Sequence, residues 1–121
     1  MPEEHDDRPA LLAGIALFND HRFWHAHEEW ERIWLKAEEP DKQFLQGLIQ
    51  LAAAYHHVQR GTFSGGARLF DAALRRLSAF PPGYRNIDRQ AAVAAAALHR
   101  ERIGRGEGVG AEEWPELIMG S

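Results

Sequence analysis

His27 and Glu31 stand four residues apart within Phe-Trp-His-Ala-His-Glu-Glu-Trp-Glu-Arg-Ile-Trp, residues 23–34 of the chain. An imidazole and a carboxylate at that spacing are its best candidates for chemistry. Wound as an α-helix at about 100° per residue, the stretch puts Phe23, His27, Trp30, Glu31 and Trp34 on one face, with the i, i+4 pair in reach of each other. An aromatic face normally turns inward, so the pair is expected to be partly buried. An ionisable group buried without a partner is costly, so the two need company.

Three kinds of company are open. A structural hydrogen-bond network is the first. The second is a divalent metal held by His27, Glu31 and a histidine of the next helix, since imidazole and carboxylate suit zinc, iron or manganese. The third is a metal-free pocket for a small ligand or acid/base chemistry, with Glu31 as the charge partner of His27. The zinc motif His-Glu-x-x-His is absent, and so are the Glu-x-x-His pairs of di-iron bundles. As an enzyme the chain would run a metal-assisted or acid/base hydrolysis. As a binding module it would take a small molecule or a peptide. As an interaction protein it would self-associate and keep the network for structure.

The facing groups come from the following helix. Gln46, Gln50 and His57 fall within about 40° of one another around its axis and interrupt an apolar segment, while His56 points towards the Leu45, Ile49 and Ala52 side. Antiparallel packing of these two helices predicts that His27 and Glu31 meet Gln46, Gln50 and one of the two histidines, with Trp34 as a wall. Trp24, Trp30 and Trp34 read as core aromatics, and His25, Glu28, Glu29 and Arg32 as solvated.

Helical periodicity runs through most of the chain and predicts an all-α fold: a single compact array of about five helices with the third central. The first helix follows Asp7 as N-cap with Pro9 in its first turn, and buries Leu11, Leu12, Ile15 and Phe18. Asp20 is the expected cap of a second helix over 22–37. Pro40 precedes the third, 41–59, which is the most apolar. Gly61 marks its end, and Ser64 is the expected cap of a fourth running to 78. Phe80-Pro81-Pro82-Gly83 is a turn, and an alanine-rich fifth helix covers 88–102. The helical domain is expected over 1–103. Alternating glycines from Gly104 to Gly110 read as a flexible linker, and the tail around Trp114 as an arm that docks on the body or on a neighbouring chain.

At 121 residues the chain is sized for one domain, and with 45% apolar and 26% charged residues its composition is that of an ordinary globular protein. No apolar run approaches the roughly 20 residues that span a bilayer, so no membrane partner is expected. The acidic N-terminus lacks the pattern of a signal peptide, and the absence of cysteine removes disulfides, thiolate zinc sites and Cys nucleophiles. A cytoplasmic location is expected. Residues 1–42 carry eleven acids and five bases, whereas residues 43–105 carry three acids and nine bases. Attraction between these halves, across the fold or across a dimer, is the simpler reading. The basic half has no Lys/Arg run and few interleaved aromatics, so nucleic acid is not an expected partner.

Phe18-Asn19, Phe23, His27-x-x-x-Glu31-x-x-Trp34, Phe44-Leu45-Gln46-Gly47-Leu48-Ile49-Gln50, Ala52-Ala53-Ala54-Tyr55-His56, Gly61 and Gly66-Ala67 together resemble the domain-of-unknown-function family 309 over about residues 11–78. These are small, all-helical bacterial and archaeal proteins without an established activity. The resemblance implies that His27, Glu31 and Trp34 form the family's marked motif, for which a metal-binding role has been suggested. It also implies that His56, rather than the His57 favoured by helical geometry, is the family histidine.

Overall fold

The computed structural model describes residues 7–120. The acidic N-terminal stretch before Asp7 and the last tail residue, Ser121, lie outside the described residues. Five helices follow one another: α1 (Arg8–Asn19), α2 (Phe23–Trp34), α3 (Asp41–Arg60), α4 (Phe63–Ser78) and α5 (Gln90–Gly104). Each packs chiefly on its chain neighbours, and α3 lies between α2 and α4. The all-α array with a central third helix is therefore as expected. Among the described residues no helix is long and apolar enough to cross a membrane.

α3 is central because its apolar residues surround most of its circumference. Phe44, Leu45, Leu48, Leu51, Ala52, Ala54 and Tyr55 are all fully buried. Phe18, Phe23 and Phe70 close around Tyr55, whose ring stacks on Phe23 at 5.2 Å and meets Phe70 edge-on at 4.9 Å, while Trp30 lies against Phe18. Trp30 comes in so close to α1 that only a glycine fits at position 14, and its indole Nε1 donates to the Leu11 carbonyl at 3.2 Å.

Several local expectations are corrected. Asp20 does not cap α2; it closes α1, and the chain turns through His21 at φ 62° before α2 begins at Phe23. Ser64 lies inside α4, whose N-cap is Thr62, and the Thr62 hydroxyl turns back to His57. Asp7 stands at the start of α1, but its carboxylate serves Arg85 instead of the helix amides. α5 starts two residues late because Ile87–Asp88 (β1) pairs antiparallel with Ile118–Met119 (β2), a strand pair too short for alternation to reveal. Gly61 ends α3 in the left-handed conformation (φ 76°), as its position predicts.

The glycine-rich segment leads into a docked tail. Asn19 clamps Leu117 from both sides: its Nδ2 donates to the Leu117 carbonyl and its Oδ1 accepts from the Leu117 amide, each at 2.8 Å. Leu117 is buried, and Trp114 packs edge-on against His21 and Phe23. Part of the charge segregation is spent inside the molecule. Arg85 bridges Asp7 at 2.7 Å and Asp41 at 2.9 Å, and Asp41 also accepts from the Tyr84 hydroxyl.

Candidate functional site

α2 turns Phe23, Ala26 and Trp30 into the core. Glu31 lies about 100° beyond Trp30 on the wheel, so it falls on the flank of the helix and not on its buried face. His27 is 14% exposed and Glu31 51%, with the His27 Nε2 3.5 Å from a Glu31 carboxylate oxygen. The pair is therefore in contact, but only its imidazole is buried. The His27 Nδ1 is buried and has no partner. Trp24 lies flat on the His27 ring, 4.5 Å between centroids and 21° between planes. The expectation of a core position for Trp24 fails: it is 44% exposed, because residue 24 lies one step off the Phe23–Ala26–Trp30 face. Trp30 is in the core as expected, and Trp34 is half-buried with the Lys42 ammonium 4.6 Å over its ring.

α3 supplies one histidine to this flank. His56 lies 4.9 Å from Trp24, ring to ring. Burial, followed by the positive fields of Arg60, His57 and His27, holds the His56 pKa below the ordinary histidine value. The other α3 groups do not join. His57 turns to the start of α4, its Nδ1 2.6 Å from the Thr62 hydroxyl and its ring against Gly65. The Gln50 side-chain oxygen accepts from Arg76 of α4 at 3.1 Å. Gln46 is half-buried, about 40° around the α3 axis from Gln50. Gln50 and His57 thus belong to the α3–α4 side, which corrects the expectation that Gln50 would face His27 and Glu31. Of the two histidines, His56 is the one beside α2. Among the described residues no three His, Asp or Glu side chains converge on one point, so His27 and Glu31 have no third ligand beside them.

Residues 11–69 match the model of a family described as a domain of unknown function, DUF309. The chain carries a DUF309 domain. No curated protein matches it. The matched DUF309 segment takes in α1 to α3 and the first half of α4. It therefore contains Trp24, His27, Glu31, Trp34, Gln46, Gln50, His56 and His57, while α5 and the tail lie beyond it.

A cavity of about 710 Å³ lies away from this flank. It lies between the start of α1 and the α2–α3 connection, where Asp7, Ile33, Lys36, Ala37 and Asp41 line it. The sequence reading also missed a buried polar pair behind the aromatic core. The Tyr55 hydroxyl is 2.7 Å from His99 Nδ1, and both residues are buried. Desolvation raises the Tyr55 pKa and lowers that of His99, so both are neutral at pH 7; Arg102 adds to the lowering at His99 and Glu113 opposes it. Tyr55 follows the apolar run of α3 in sequence. His99 carried no signal, since a histidine at the end of an alanine-rich helix reads as a surface residue.

Proposed function

We propose that the DUF309 domain is a docking module that uses the edge of α2 and α3 carrying Trp24, His27, Glu31 and His56, and that its occupant is a second copy of the chain. Trp24 carries this reading. It is a large aromatic ring left 44% exposed, held in one orientation by stacking on His27. A preoriented, exposed tryptophan loses little freedom on docking and is the residue type most often found at the energetic centre of an interface.

A further observation supports the proposal. The edge is self-complementary in charge: Glu28 and Glu31 are exposed along α2, and Arg60 is exposed one turn beyond His56 on α3. A two-fold axis would set the acidic strip of one copy against the basic end of the other, each contact being made twice. A small-molecule or acid/base reading of the same residues is less well supported. The His27 Nδ1 is buried, and its Nε2 lies 3.5 Å from Glu31, so a substrate would compete with that carboxylate for Nε2. The described cavities lie elsewhere.

Sedimentation equilibrium of the whole chain over a wide concentration range tests this. Wild type should show a mass that rises to the dimer, and Trp24→Ala, which removes the ring from both copies, should weaken association by about 1,000-fold, the loss expected of two interface anchors of about 2 kcal/mol each. The variant should keep its helical circular dichroism, since the ring is largely outside the core. A wild-type chain that stays monomeric at every concentration, or a Trp24→Ala chain that dimerises as tightly as wild type, overturns the proposal.

A further inference from the structure

Away from the docking edge, a cavity of about 180 Å³ opens between the end of α4 and the start of α5. Leu77, Phe80, Pro82 and Val93 give it apolar walls, and Arg89 and Asp88 are its charged groups. Arg89 is only 7% exposed. Its Nη2 donates to the carbonyls of Leu77 at 2.8 Å and Phe80 at 2.5 Å, and its Nη1 to that of Pro81 at 3.2 Å. The Phe44 ring lies 5.3 Å from the guanidinium carbon.

These contacts explain why Arg89 is placed there, since it ties down the last carbonyls of α4. They do not neutralise it. Among the described residues no carboxylate lies within ion-pair distance of Arg89. Three of its five N–H groups are used, which among the described residues leaves Nε and one Nη1 proton without a protein acceptor; Nε is not one of the fully buried unpaired atoms, so it stays accessible. Burial works against the charge and lowers the Arg89 pKa. A largely buried cation with accessible spare donors beside a cavity suits an anion. The positive end of α5, which starts at the adjacent Gln90, adds to the same field.

We propose that this cavity binds a small carboxylate on a short apolar skeleton, with the carboxylate on the free donors of Arg89 and the skeleton against Leu77, Phe80, Pro82 and Val93. The size fits, because a cavity of about 150 Å³ accommodates benzene. Asp88 decides between two sources of that chemistry. It is exposed at the rim, and one of its oxygens accepts from the Gln90 amide at 3.1 Å. Its charge weakens binding of a plain carboxylic acid anion but pairs with the ammonium of an α-amino acid.

The test is an amide NMR titration of the whole chain with isovalerate and with L-leucine, using acetate at matched ionic strength as the control. Saturable shifts confined to the Leu77–Phe80 turn and the first turn of α5 are expected with at least one of the two larger ligands. Tighter binding of leucine, reversed by Asp88→Asn, identifies the amino acid; tighter binding of isovalerate, strengthened by Asp88→Asn, identifies the simple acid. Because replacing Arg89 also uncaps α4, the decisive variant is Val93→Phe, which fills the cavity from its half-buried wall and should weaken binding about tenfold or more while the chain stays helical. Shifts that fail to saturate, that acetate reproduces, or that persist unchanged in Val93→Phe overturn the proposal.

Discussion

Tyr55→Phe removes one oxygen atom from the centre of the molecule, and its effect can be worked out from what that oxygen touches. The hydroxyl has one partner, the His99 Nδ1 at 2.7 Å, and both side chains are buried. The phenyl ring keeps its contacts with Phe23, Phe70 and Phe18, so nearly all the cost comes from leaving His99 Nδ1 unpaired. That cost is about 1–3 kcal/mol, or a fall in Tm of about 4 °C per kcal/mol for a domain of this size. His99→Leu strands the Tyr55 hydroxyl in the same way. The double variant leaves no stranded polar group, so it should be less destabilised than the sum of the singles, with a coupling of about 1–2 kcal/mol. Proton linkage gives a second, independent signature. The His99 pKa is lowered from its ordinary 6.5 by burial, so below that pH the unfolded chain binds a proton that the folded chain refuses. The His99 contribution to stability is therefore fully present above about pH 6.5 and is lost as the pH falls below it. His56 is shifted in the same direction, so the His99 share is the part of the slope that disappears in His99→Leu. Urea unfolding followed by circular dichroism at about pH 7.5 and pH 5 measures all four chains. Single variants within about 0.5 kcal/mol of wild type, together with an unchanged slope in His99→Leu, would refute the reasoning.

Three shorter predictions follow from other contacts. Gly14→Ala drives a methyl group into the Trp30 indole and breaks its bond to the Leu11 carbonyl; it should destabilise the fold by at least about 1–3 kcal/mol in thermal melts, and a tolerated alanine would contradict the observed α1–α2 approach. Asn19→Ala removes both hydrogen bonds to Leu117 and should raise amide hydrogen exchange across the tail strand while leaving α3 protected. The Glu113 carboxyl is held down to about 2 by its hydrogen bond from Arg102 and then by the Gly110 amide, so its contribution is present above the ordinary value of 4.5 and lost towards pH 2; carboxyl NMR should show that low inflection, moving up in Arg102→Gln.

What could be read in advance and what could not divides along one physical line. Periodicity reports how a helix is amphipathic, so the helices were legible from their apolar spacing, and the central place of α3 from Phe44, Leu45, Leu48, Ile49 and Leu51, all buried. Periodicity does not report which neighbour a face meets. Gln46, Gln50 and His57 do share an arc of α3, but α3 has partners on two sides, and Arg76 and Thr62 of α4 claimed Gln50 and His57. Glu31 was misjudged for a related reason. A five-residue aromatic-rich arc looks like one buried face, yet only Phe23, Ala26 and Trp30 of α2 are buried, and a wheel cannot tell the centre of an arc from its edge. Docking of the Trp114 tail on the body was one of the two expected outcomes, but its anchors were not legible: Asn19 lies almost a hundred residues from Leu117, and Arg102 and β1 hold Glu113 and β2.

The same distinction explains why Trp24 was undervalued. Tryptophan in an aromatic-rich helix is expected in the core because burying it contributes most there. α2 already places Trp30 in that position, in contact with Gly14 of α1, and the helix has no second buried slot one residue after Phe23. Trp24 instead lies against His27 and His56, two imidazoles whose own exposure it limits. The i, i+4 pair that drew attention in the sequence is thus the support of a surface and not an isolated buried reaction centre: Glu31 holds the His27 ring from the solvent side, and the ring carries the indole. On that reading Glu31→Gln should leave the global fold intact but loosen Trp24, so the Trp24 indole resonance, assigned by its loss in Trp24→Ala, should broaden or shift while that of Trp30 stays put. A Trp24 signal indifferent to Glu31→Gln would show that stacking on His27 alone fixes the ring and that Glu31 has no part in shaping the edge.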